Sequence, residues 1–211
     1  MASTDQSPLI GGYVLAGGAS SRFGADKALA LLDGKTMLRR MCQLLGGVAG
    51  DVRVVAGPAK YGNQEVPLVA DQWPGEGPLG GIITALQDAA SRKPSPSRCL
   101  VISCDMPFLN RGWLAYLAAR ADNSPAQIVV PRSKGGLEPL CACWQVAAVG
   151  SLRQLFLSGV RKVTEVFAHL ETEILDEAHW RRFDNAGRLF WNMNTPEDYQ
   201  SALEVLAEER R

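Results

Sequence analysis

Apolar residues along this chain follow two alternating rhythms. Short unbroken runs read as buried strands, and longer stretches with apolar positions three and four apart read as helices. YVLA at 13–16 predicts a strand that ends in a glycine-rich segment. From Thr36 to about Leu45, TMLRRMCQLL has helical spacing, with Thr36 placed as its N-cap. VRVVAG at 52–57 is a second strand, and VPLVAD at 66–71 ends a third at Asp71. PLGGIITALQDAA is a helix entered through GEGP, SRKPSPS is a polar breaker, and CLVISCD is a fourth strand ending at Asp105.

RGWLAYLAARA at 111–121 predicts another helix and AQIVVP at 126–131 a fifth strand. LEPLCACWQ at 137–145 is a further strand, with Cys141 and Cys143 on one face. Residues 147–167 read as two short helices divided by Gly159. RLFWNMN at 188–194 is a last strand. TPEDYQSALEVLAEER is a terminal helix with Thr195 as N-cap, Pro196 at its first position, and Glu197 and Asp198 in its first turn. Strands alternating with helices imply an α/β fold of three α/β/α layers around a mostly parallel sheet. Ligands of such sheets bind beyond the carboxyl ends of the strands. The exits to watch are Gly17 onward, Asp71 and Asp105.

Composition narrows the picture. The 211 residues fit one domain able to bury about 70% of its unfolded surface. Lys+Arg and Asp+Glu balance at 22 each, which argues against a general nucleic-acid or membrane surface. The five cysteines form no C-x-x-C pair and read as buried thiols of a reducing compartment. No signal peptide or run of about 18 apolar residues appears, so a soluble cytoplasmic protein is expected.

The chemistry begins with GGASSRFGADK at 17–27. Lys27 does not directly follow Gly24, so this is not a P-loop, and the spacing of Gly17, Gly18 and Gly24 is not a dinucleotide fingerprint. The segment still reads as a phosphate cradle: glycines let N–H groups approach oxyanions, while Arg22 and Lys27 supply charge. The alternative is a glycine turn with solvated cations. Asp105, ending a buried run before Met106-Pro107, is either a turn cap or a Mg²⁺ ligand beside a triphosphate. Asn192 fits a structural turn, and Asn194 could reach the same metal.

Together these pieces resemble the molybdenum cofactor guanylyltransferase family, enzymes that attach GMP to molybdopterin. The resemblance runs from VLAGGASSRFGADKALALLDGK through ADQWPGEGPLGGI and VISCDMPFL to NMNTPEDY. It implies a single nucleotidyltransferase domain over 1–211, Rossmann-like in the manner of nucleotide-diphospho-sugar transferases. Nucleotide contacts then fall on Leu15, Ala16, Gly17, Lys27, Asp71 and Asp105. Mg²⁺ falls on Asp105, with Asn194 as a second ligand by similarity to sugar nucleotidyltransferases. Some members have a nucleotide-contacting asparagine where this chain has Ala56. PRSKGGLEPLCACW should face the acceptor, with Arg132 and Lys134 either meeting its phosphate or remaining solvated, and Gly135 and Gly136 giving mobility.

The implied reaction joins GTP to molybdopterin with release of pyrophosphate. Lys27, Arg22 and Asp105 are its expected catalytic residues. Molybdoenzymes or cofactor-handling proteins are expected partners, nucleic acid and membrane are not. His169 and His179 lie far from the strand exits. Rival readings keep the chemistry with CTP or a sugar phosphate, or make the chain a non-catalytic nucleotide-binding chaperone. Asp71, in turn, either reads the guanine edge or caps the turn into QWPGEGPLGG.

Overall fold

The computed structural model describes residues 10–17, 26–57, 61, 66–184 and 186–209. It opens with β1 (Ile10–Leu15), buried throughout. After a 3-10 turn at Lys27–Leu29 comes a hairpin of β2 (Leu31–Leu32) and β3 (Lys35–Thr36), with Asp33 and Gly34 at positive φ between them. Helix α1 (Met37–Gly46) starts where Thr36 Oγ1 accepts the Arg39 N–H. Then follow β4 (Asp51–Ala56), β5 (Leu68–Ala70), α2 (Pro78–Ser91) and β6 (Arg98–Ser103). Next are α3 (Arg111–Asp122), β7 (Ile128–Ser133), β8 (Gly136–Leu137) and β9 (Cys141–Gln145). The chain continues through α4 (Val149–Leu157), α5 (Val163–Val166), β10 (Thr172–Leu175), α6 (Glu177–Trp180) and α7 (Pro196–Glu208).

The main sheet has the order β10-β7-β9-β6-β1-β4-β5, with β8 paired to β7. β1 pairs in parallel with both β4 and β6, β4 with β5, and β10 with β7. β9 runs antiparallel between β6 and β7. The sheet is thus mostly parallel, as the alternation of elements predicts.

Two apolar layers hold it. Val14, Val54, Ile102, Cys141 and Cys143 face α1, α3 and α7 through residues such as Leu45, Trp113 and Ala202. Tyr13, Leu15, Val101, Ala142 and Trp144 face α2 and α4 through residues such as Ile82, Ile83 and Phe156. Side chains alternate between the faces with the strand period, so both faces must be apolar. All five cysteines are buried free thiols.

Two expected strands differ. Residues 188–194 form no strand, although Leu189, Phe190 and Met193 enter the core. Their backbone donors are satisfied elsewhere: Arg188 and Leu189 N–H donate to the Asp184 carboxylate at 2.8 and 3.0 Å, and Met193 N–H to the Asp105 carbonyl at 2.8 Å. Of LEPLCACWQ, only Cys141–Gln145 belongs to β9. Before it, Glu138 N–H donates to the Pro131 carbonyl and Cys141 N–H to the Glu138 carbonyl, turning the chain. Pro139 has no N–H for a ladder there.

β1 and α1 approach unusually closely at Gly12. A Cβ there would stand 2.9 Å from Ala49 Cβ and from Leu45 Cγ. Gly12→Ala should therefore destabilise the fold by about 1–3 kcal/mol through overpacking. A urea midpoint equal to wild type would show that α1 can retreat without cost.

Candidate active site at the strand exits

The exits of the central strands are stitched side by side by backbone bonds. Ala16 N–H donates to Val55 carbonyl at 2.9 Å, Cys104 N–H to Leu15 carbonyl at 3.2 Å, and Asp71 N–H to Ala56 carbonyl at 2.8 Å. Gly17, Asp105 and Asp71 consequently emerge on one rim. A cavity of about 270 Å³ opens there, lined by Leu15, Gly17, Asp71, Gly77, Ser103 and Leu140 among others.

Beside it, Lys27 Nζ donates to Asp105 Oδ2 at 3.2 Å and to Asn194 Oδ1 at 2.9 Å. Each partner is positioned locally. Asp26 caps the 3-10 turn that carries Lys27, accepting the Ala28 N–H at 3.1 Å. Asp105 follows β6, and its carbonyl is fixed by Met193 N–H. Asn194 is set by the capping box of α7, where Asp198 Oδ2 accepts the N–H of both Asn194 and Thr195 at 2.8 Å. The Asn194 N–H, then that of Thr195, holds the Asp198 carboxyl below its ordinary range, with help from the Thr195 hydroxyl and Lys27 charge.

Asp105 Oδ1 is buried and has no hydrogen-bond partner among the described residues. A buried acceptor left in this state is costly unless a ligand completes it. Among the described residues, no group of three or more His, Cys, Asp or Glu side chains forms a metal cage. The donor set is instead one carboxylate and one amide oxygen, already bridging a cationic ammonium. That set suits Mg²⁺, which is commonly held by one or two carboxylates with phosphate oxygens.

Asp71 divides its two oxygens. Oδ1 accepts the Trp73 N–H at 3.0 Å and lies 3.3 Å from Thr84 Oγ1, so the carboxylate does cap the turn. Oδ2 lies 3.8 Å from where a Cβ on Gly17 would stand, on the rim of the cavity. Capping and ligand contact are therefore compatible in one side chain.

The remaining expectations spread out. Arg22, Gly18 and Gly24 lie outside the described residues. Asn192 serves a local turn, donating to the Phe190 carbonyl at 3.3 Å. Arg132 and Lys134 are exposed on the β7–β8 hairpin, with Gly136 at φ 119°. His169 is exposed, and His179 pairs with Asp176.

Other neighbours of the site carry no readable signal in the sequence. Tyr61 Oη stands 2.6 Å from Asp26 Oδ2 and 3.2 Å from the Ala16 carbonyl, sharing its one proton between them. Glu138 accepts a 2.6 Å bond from Ser133 Oγ. Burial raises its carboxyl pKa against that hydroxyl, and the Asp105 charge adds to the rise.

Comparison with known proteins adds a direct likeness. Residues 12–174 match the MobA-like NTP transferase domain family. The chain is 34% identical over 196 residues to a molybdenum cofactor guanylyltransferase of Rhizobium johnstonii, covering 92% of this chain and 91% of the relative. It is 30% identical to the enzyme of that description from Desulfosudis oleivorans, covering 92% and 94%. Among solved structures, molybdopterin-guanine dinucleotide biosynthesis protein A of Archaeoglobus fulgidus superposes with a TM-score of 0.81 at 25% identity, covering 94% of this chain and 100% of that one.

The geometry of the cation makes a stability prediction. Lys27 and Asp105 side chains are only 17% and 18% exposed, so their pair is poorly screened by solvent. Lys27→Met should cost about 1–3 kcal/mol by leaving the carboxylate without its counter-charge. Adding Asp105→Asn should recover most of that loss. Urea unfolding at low salt measures both, and a Lys27→Met midpoint equal to wild type would show that the ammonium does not neutralise Asp105.

Proposed function

Because this chain belongs to the MobA-like NTP transferase domain family, we propose that it transfers GMP from GTP to molybdopterin, releasing pyrophosphate. The observation that carries the reading is the convergence of Lys27, Asp105 and Asn194 beside a cavity formed at the exits of parallel strands. A phosphate oxygen of molybdopterin attacks the α-phosphorus of GTP. The bond from that phosphorus to the α–β bridging oxygen breaks, and its electrons leave with pyrophosphate. The nucleophile is already an anion, so no strong general base is required. The chain's work is to position two anionic reactants and neutralise the charge that develops.

Leu15, Ala16, Gly17 and Asp71 hold the nucleoside end, and Lys27 neutralises phosphate. Arg22 acts with it. Asp105 and Asn194 would hold Mg²⁺, and the ion would supply concentrated positive charge to neutralise phosphate there. The Lys27 ammonium, resting between Asp105 Oδ2 and Asn194 Oδ1, keeps these two side chains organised until nucleotide arrives. The free thiols fit a cytoplasmic setting, and among the described residues no helix is long and apolar enough to cross a membrane.

The deciding assay is pyrophosphate release with GTP, Mg²⁺ and molybdopterin. Release matched by formation of the guanine dinucleotide is expected. No release under conditions where both substrates bind would overturn the enzyme reading.

Two substitutions sharpen it. Asp105→Asn should preserve the fold and lower kcat roughly a hundredfold, the scale of removing one electrostatic stabiliser. Steady-state rates at ordinary Mg²⁺ test this, and near wild-type turnover would place the metal elsewhere. Guanine presents N–H donors where cytosine presents an acceptor, so the Asp71 carboxylate should favour GTP. Asp71→Ala should lose roughly ten- to a hundredfold of the preference for GTP over CTP. Competition binding in the folded variant measures it, and an undiminished preference would assign base reading to the backbone.

A further inference from the structure

One wall of the cavity is the segment 71–77, which has no helix or strand of its own. Gly75 and Gly77 within it adopt φ of 84° and 86°. Such a segment has wide backbone freedom, yet it contributes Asp71, Gly75 and Gly77 to the cavity. Something must hold it. Asp71 and Thr84 fix its first turn, and the rest is gripped from the C-terminal half of the chain.

Trp73 packs on Phe156 of α4, with ring centroids 4.9 Å apart. Arg161, in the link between α4 and α5, closes that contact from the other partner. Its guanidinium carbon lies 4.1 Å from the Phe156 centroid, and Nη1 donates to the Phe156 carbonyl at 2.6 Å. Nε of the same side chain donates to Glu76 Oε2 at 2.8 Å. A single guanidinium therefore ties the end of α4 to the glycine-rich wall. The buried Nε1 of Trp73 has no hydrogen-bond partner among the described residues, so Trp73 reaches α4 by packing and Arg161 supplies the polar tie.

From this we infer that Arg161 is a positioning residue for nucleotide recognition, holding the 71–77 wall in its binding shape without touching the nucleotide. The inference rests on the reading of the cavity as the GTP site. The magnitude is bounded by exposure: Arg161 and Glu76 side chains are 46% and 50% exposed, so their ion pair by itself is weak. The stacked guanidinium and its carbonyl bond must carry the larger share. Lysine offers neither the plane nor the fork.

The test is GTP affinity by calorimetry without acceptor, joined to hydrogen exchange of the ligand-free protein. Arg161→Ala should weaken GTP binding by about three- to tenfold, while kcat at saturating GTP falls less than about twofold. Arg161→Lys, which keeps the charge if the alanine variant folds poorly, should recover only part of the affinity. Glu76→Ala should act in the same direction, and the double variant should be no worse than Arg161→Ala alone. Backbone amides of 73–77, Pro74 apart, should exchange faster in Arg161→Ala, with β1 and β6 protected as in wild type. Wild-type GTP affinity in Arg161→Ala would overturn the inference, and so would additive effects or unchanged exchange in the wall. A wild type that binds no GTP would instead refute the reading of the site, and exchange would still decide whether Arg161 holds the wall.

Discussion

The ammonium of Lys27 between Asp105 and Asn194 is the interaction on which the rest of the site depends. It joins residues 78 and 167 positions apart, one from each of three regions of the chain. Each arrives by a different local device: a capped 3-10 turn, the end of a buried strand, and the capping box of the last helix. Without the ammonium, Asp105 would be a largely buried carboxylate with one oxygen already lacking a partner among the described residues. Such a charge is unfavourable when uncompensated. The cluster therefore calls for a positive charge, and Lys27 supplies one.

The cavity beside it obeys a second constraint. Parallel strands deliver their exits to one rim, and bonds from Ala16, Cys104 and Asp71 fix the spacing of those exits. The backbone is thus rigid where the nucleoside end would rest. The wall at 71–77 is built differently, from glycines, a shared Asp71 carboxylate and a grip on α4.

Much of this was legible in the sequence. Asp71 and Asp105 stand out because a carboxylate ends an apolar run, and such runs in an α/β chain are sheet strands with ligand-facing exits. Asn194 stands out because it precedes a helix that Thr195 caps, although the strand expected to end there does not form. The failures have equally physical causes. RLFWNMN has the composition of a strand, but Leu189, Phe190 and Met193 do not alternate, and the Asp184 carboxylate takes its donors instead. The hairpin around Asp33-Gly34 is only two residues a side, too short for a period to show. Strand direction is not encoded in hydrophobic pattern, so the antiparallel β9 could not be seen. The grip of Arg161 on Glu76 spans 85 positions and has no local signature at all.

The proposed function requires Lys27 to exchange its bonds to Asp105 and Asn194 for phosphate when nucleotide and Mg²⁺ bind. A crystal structure with Mg²⁺ and a GTP analogue that cannot be cleaved between its α- and β-phosphates tests it most directly. The expected result has Lys27 Nζ on a phosphate oxygen and the Asp105 carboxylate on the metal. Lys27 still bonded to Asp105, with the metal held by other residues, would contradict it.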